Sequence, residues 1–124
     1  VLTVELNEQS TYCPYVLGRL FAVLEAVQDA ANLGINTTIK DKYFSSAAAM
    51  PASIFPVLNN LYQKHLRKLS PGLRKYFDNQ VVELKSKLGE SYPVRMTLAQ
   101  QGAFDLGYYH QRNSKSNGED QNND

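Results

Sequence analysis

At 124 residues and 14.0 kDa the chain is long enough for one domain and too short to divide into two that each bury a core. With 43% hydrophobic and 20% charged residues it has the composition of a soluble globular protein, and its one cysteine, Cys13, excludes an internal disulfide and suits the reducing cytoplasm. Thirteen basic residues nearly cancel twelve acidic ones, but both ends are acidic (Glu5 and Glu8; Glu119, Asp120 and Asp124 against Lys115), so the surplus of base falls between them.

The acidic first residues do not form a secretory signal, and the longest uncharged stretch, from Tyr43 to Gln63, carries Pro51, Pro56, Ser45, Ser46, Asn59 and Asn60. That is too polar for hydrocarbon, so no membrane segment is expected.

The first predicted element is a helix over residues 14 to 33. Leu17, Leu20, Phe21, Leu24, Val27 and Ala31 recur with helical period, and Arg19, Glu25, Gln28 and Asp29 fall mostly off that stripe. Pro14 suits its first turn and Gly34 its left-handed stop. A second helix starts at Thr38, whose hydroxyl caps the chain while Asp41 sits in the positive first turn, and it ends or bends at Pro51.

A third helix turns Phe55, Leu58, Leu61, Tyr62, His65, Leu66 and Leu69 inward and Asn60, Lys64, Arg67 and Lys68 outward; Pro56 must lie in its first turn or kink it. Ser70-Pro71-Gly72 opens a fourth helix with Leu73, Phe77, Val81, Leu84 and Leu88 inward, a Glu83–Lys87 pair on its surface and Gly89 as its stop. Thr97 and Gln100 read as the capping box of a fifth. Gly102 and Gly107 inside that helix each cost about 0.8–1 kcal/mol against Ala, an expense offset where another helix approaches closely.

From Asn113 onward there is nothing to bury, which predicts a disordered acidic tail over 113–124. The expected fold is all-α, a compact bundle of about five helices over 12–112, preceded by an extension over 1–11.

No acidic residue lies between Asp41 and Asp78, whereas Lys42, Lys64, Arg67, Lys68, Arg74 and Lys75 do. With Lys40 just before this window and Arg19 on the polar side of the first helix, these are the candidate nucleic-acid contacts, a polyanion being the natural partner of such a surface. The plain alternatives are a solvated basic face and, for Arg19, a carboxylate partner. Tyr108-Tyr109-His110-Gln111-Arg112 combines stacking rings with a cation; neighbouring helical residues point about 100° apart, so one tyrosine belongs to the core and the other to the surface.

Catalytic chemistry is thinly supplied. Cys13 precedes a helix N-terminus and could in form pair with His65 or His110, but no orienting or oxyanion element accompanies it. No zinc-ligand spacing and no phosphate-binding glycine loop is present, so neither metal, cofactor nor catalytic residue is expected.

Three stretches go beyond generic bundle chemistry: Tyr15 to Glu25 (YVLGRLFAVLE), Gly34 to Phe44 (GINTTIKDKYF) running on to Pro51 and Phe55-Pro56, and Gln101 to Arg112 (QGAFDLGYYHQR). In order and spacing they resemble the C-terminal helical region of the large subunit of the type I-C CRISPR Cascade complex, over about residues 12–112. In that family the same region is also made as a separate small subunit, which this chain looks like.

The resemblance implies a non-enzymatic part of a crRNA-guided complex that packs against the backbone and large subunits and further copies of itself. It also implies contact with the target and displaced single strands of the crRNA–target DNA R-loop. It carries over no residue roles. A competing reading takes residues 70–72 as the turn of a helix-turn-helix regulator that would read duplex DNA through Asn79, Gln80 and Glu83; a third is a structural adaptor.

Overall fold

The computed structural model describes residues 6–31, 38–89 and 91–122, with side chains as far as Ser114. Five helices make up the fold, in the order α1 (Cys13–Ala31), α2 (Ile39–Ala49), α3 (Pro51–Leu66), α4 (Pro71–Ser86) and α5 (Leu98–Asn122). There is no strand among the described residues, as the helical periodicity requires.

Local chemistry sets the helix starts. At α2 the Thr38 hydroxyl accepts from the Asp41 N–H at 3.1 Å, and the Asp41 carboxylate accepts from the Thr38 N–H at 3.3 Å. The next orphan donor, the Ile39 N–H, reaches Gln28 Oε1 of α1 at 2.9 Å, so a side chain from another helix completes the cap. Ser70 caps α4 with Pro71 following it, and Thr97 and Gln100 exchange bonds of 3.1 and 2.8 Å ahead of α5.

Pro51 does end α2, but it also begins α3, and the break is confined to Met50. Helix α3 thus starts before Phe55, and Pro56 lies inside it, exposed, beyond the first turn. The connection from α4 to α5 is bonded across this joint: the Ala52 N–H donates to the Pro93 carbonyl and the Met96 N–H to the Ala49 carbonyl, each at 2.9 Å.

Helix α1 is the axis of the bundle. It packs most extensively against α5, and also against α3, α4 and α2. Its residues from Pro14 to Glu25 are buried on every side, so of the expected polar face only Asp29 is exposed. Arg19, Glu25 and Gln28 are enclosed and bond to α5 and the cap of α2 instead of facing water, Arg19 through its Nε alone.

Phe21 of α1, Phe44 of α2, and Phe104 and Tyr108 of α5 meet edge to face at centroid distances of 5.0–5.9 Å, a geometry that suits the ring quadrupoles. The closest backbone approach also lies between α1 and α5. A Cβ on Gly18 would strike the Phe104 carbonyl and come within 2.8 Å of the Tyr108 nitrogen, and one on Gly107 would strike the Tyr15 carbonyl. The expectation of close approach therefore holds at Gly107 and not at Gly102, which faces open space.

Other departures are local. Helix α4 stops at Ser86, ahead of Gly89, and Lys87 directs its Nζ to the Glu8 carbonyl at 3.0 Å, not to Glu83. Leu73, expected inward, is exposed because it lies at the end of α4, beyond the core. The backbone of α5 is helical on to Asn122, through the segment predicted to be disordered. The proposed stop at Gly34 lies outside the described residues.

Candidate nucleic-acid interface

The last turn of α3 and the first turn of α4 present the main group of cations. Tyr62 and His65 turn into the core, which directs Lys64 outward; Arg67 is the C-cap of α3 and Lys68 follows it in the turn, and all three are exposed. Beyond the Ser70 cap, Arg74 and Lys75 are exposed on α4, whose Phe77, Val81 and Leu84 hold the inner side. Tyr62 donates to Asp78 Oδ1 at 3.0 Å, tying the two helices beside this turn and engaging the first acid to follow the acid-free window.

Among the described residues, no side-chain hydrogen bond or ion pair engages Lys64, Arg67, Lys68, Arg74 or Lys75. Of these, Lys68 is felt at His65, where burial first, and Lys68 second, push the imidazole pKa down.

Lys40 and Lys42 stand apart from this group. Lys40, at the start of α2, places its Nζ 5.2 Å from the ring centroids of both Tyr108 and Tyr109 and 5.8 Å from that of Phe44, and donates to the Tyr109 hydroxyl at 3.3 Å. Lys42 is exposed and lies over its neighbour Tyr43 at 5.4 Å.

Arg19 corrects the expectation of an exposed contact. It is only 5% exposed, its Nε donates to Gln111 Oε1 at 2.9 Å, and one terminal nitrogen has no partner among the described residues. Desolvation lowers its pKa, while Tyr15, Glu8 and Glu83 favour its charge. It sits between α1 and α5, where no external strand can reach it.

The α5 tyrosines divide as the helical geometry demands. Tyr108 is fully buried and Tyr109 is 44% exposed. The Tyr108 hydroxyl donates to Glu25 Oε1 at 2.5 Å and accepts from Arg112 Nη1 at 3.2 Å, and burial above all, then the bond to Glu25, raises its pKa. This chain of contacts joins a buried acid to a surface cation and was missed in the sequence, since Glu25 and Tyr108 are 83 residues apart.

The residues that could have served catalysis are dispersed among other roles. His110 Nδ1 bonds the Tyr15 hydroxyl at 2.8 Å, His65 is buried in α3, and burial raises the Cys13 thiol pKa, which disfavours its thiolate. Among the described residues no group of three or more His, Cys, Asp or Glu side chains could hold a metal ion, and no helix is long and apolar enough to cross a membrane.

A family model described as CRISPR-associated protein (Cas_Csd1) matches residues 1–115. The chain belongs to this CRISPR-associated family. The Cas_Csd1 match takes in residues 1–11, ahead of the 12–112 span that carries the sequence resemblance, and reaches through the two interhelical contacts at Gly18 and Gly107. No curated protein matches the chain.

Proposed function

We propose that this domain serves as the non-catalytic small subunit of a type I-C Cascade surveillance complex in the cytoplasm, steadying the DNA strands of the R-loop through the cations of the α3–α4 turn. The observation that carries the reading is that Lys64, Arg67, Lys68, Arg74 and Lys75 are exposed and unpaired among the described residues in a CRISPR-associated chain. Cations without internal partners are available to displace counterions from phosphate, and this sequence-independent term supplies most non-specific nucleic-acid affinity. Guide pairing supplies the sequence specificity, so nothing on the domain has to read bases in a duplex. The backbone and large subunits and further copies of this chain are its protein partners in this reading.

The test is the complex carrying Lys64→Glu, Arg67→Glu and Lys68→Glu, with target-DNA affinity measured at several salt concentrations. If each residue neutralises one phosphate of a single strand, the slope of log affinity against log salt falls by roughly 0.7 per residue, alike for all protospacers. Exposed substitutions change stability by no more than about 0.5 kcal/mol each, so assembly persists. Unchanged affinity and slope in a complex that still contains the subunit would refute the reading. A strong preference of the isolated chain for one duplex sequence would favour the helix-turn-helix regulator instead.

A further inference from the structure

The second cationic group, around Lys40, differs in kind from the α3–α4 turn because it is built on an exposed aromatic ring. Tyr109 is 44% exposed, and its hydroxyl accepts from Lys40 Nζ at 3.3 Å. The ring meets Tyr108 edge-on at 4.9 Å, so contacts from α2 and from its own helix hold it in place. Arg112, one turn further along α5, is exposed and fixed through its bond to the buried Tyr108 hydroxyl. Lys42 adds an exposed cation on α2.

Acids do lie nearby: the exposed Asp29 of α1 is close enough to favour the charge of Arg112, while the others are bonded or partly withdrawn from solvent. Asp41 caps α2, Glu25 is buried against Tyr108, and Asp105 is partly buried with its pKa raised by desolvation. A held ring with an ammonium beside it and a guanidinium one turn further along the same helix is an arrangement on which an unpaired base stacks while its phosphates meet the two cations.

We propose that Tyr109, flanked by Lys40 and Arg112, is a stacking platform for one unpaired base of a single-stranded nucleic acid, a contact separate from the α3–α4 phosphate track. It rests on the reading of the domain as an R-loop component and deepens it, because a base is offered to such a ring only by a strand out of its duplex. A duplex keeps its bases stacked on one another and presents only their edges. The choice of a nucleic acid over a protein helix follows from the cations, which a docked apolar helix would have to desolvate without compensation.

The probe is an oligothymidylate with a central 2-aminopurine, titrated with the full chain, and the variants are Tyr109→Phe and Tyr109→Leu. Binding quenches the fluorescent base in the wild type and in Tyr109→Phe, which keeps the ring. Tyr109→Leu, shown to be folded by its thermal transition, binds roughly 5- to 150-fold more weakly, the worth of one base–aromatic stack, and loses the quenching.

The salt slope of Tyr109→Leu stays at the wild-type value because no cation has been removed. Reversal of Lys64, Arg67 and Lys68 has the opposite signature, a smaller slope with the quenching of bound oligonucleotide retained, so the two sites fail independently. The proposal is overturned if Tyr109→Leu binds and quenches like the wild type, if a duplex of the same sequence binds equally well, or if Tyr109 supports a dimer of this chain that excludes the oligonucleotide.

Discussion

Adding a single methyl group to α5 has opposite consequences at two glycines five residues apart. At Gly102 a Cβ meets nothing within 4 Å, so Gly102→Ala gains the helix propensity of alanine, about 0.8–1 kcal/mol, at no steric cost. At Gly107 the same gain is opposed by collision with the Tyr15 carbonyl of α1. Overpacking a close-packed interior costs about 1–3 kcal/mol, and the upper part of that range applies because the obstacle is backbone, which cannot rotate aside as a side chain does. The net loss for Gly107→Ala is then about 2 kcal/mol. For a domain of this size 1 kcal/mol corresponds to roughly 4 °C, so Gly107→Ala should melt about 8 °C lower and Gly102→Ala about 3–4 °C higher than the wild type. Gly18→Ala should follow Gly107→Ala, since its Cβ would strike the Phe104 carbonyl from the other helix. Thermal unfolding followed by circular dichroism at fixed pH decides the matter. A Gly107→Ala protein as stable as Gly102→Ala would mean that α1 and α5 are not in backbone contact, and the central packing described above would be wrong.

Three further outcomes follow from the buried polar groups. Arg19→Met should change stability by no more than about 1 kcal/mol in urea titration, since a buried charge with an unpartnered nitrogen is replaced by an apolar chain of similar length, and it should leave nucleic-acid affinity unaltered. His65 has its pKa lowered by burial, so the unfolded chain binds the proton first. Its stabilising contribution is present above about pH 6.5 and is lost as pH falls below that value, a difference between melting at pH 7.5 and 5.5 that should shrink in His65→Gln. Tyr62 and Tyr108 have their pKa values raised, chiefly by burial and then by bonds to Asp78 and Glu25. Stability should therefore fall as pH rises through about 10, where the unfolded phenols ionise, and Tyr62→Phe should lose less between pH 9 and 11 than the wild type does.

What could be seen in the sequence was what neighbouring residues decide among themselves. Thr38 with Asp41, Ser70 with Pro71 and Thr97 with Gln100 announce helix starts because donor and acceptor lie within one turn. The exposure of Lys64 on α3 was legible for the same reason, since the leucines and aromatics on the other side of that helix fix its direction, whereas Arg67 and Lys68, expected on the same helix, lie at and beyond its end. Surroundings contributed by distant segments were not legible. Arg19, Glu25 and Gln28 look like a polar face because the pattern of α1 alone cannot reveal that Gln111, Tyr108 and the cap of α2 come to meet them. Glycines 102 and 107 are alike in composition and differ only in what stands opposite, and Lys40 looks like one more surface lysine until Tyr109 is brought beside it.

The same distinction explains why a formal charge of +1 understates the charge available to a partner. Asp41 is committed to the cap of α2, Asp78 accepts from Tyr62, and Glu25 is shut in the core under Tyr108. These acids do work inside the fold, whereas the cations of the α3–α4 turn have no such employment among the described residues. An acid that is buried or held in a cap does not disappear from the field, but it is fixed in position and cannot fold over to neutralise a lysine elsewhere on the surface. A flexible cation with no internal partner also gives up less on meeting a phosphate than one that must first leave a carboxylate. The polarity of the surface is thus set by where the acids are spent, and the α3–α4 turn, next to an acid-free run of sequence, is where the remaining positive charge is most accessible.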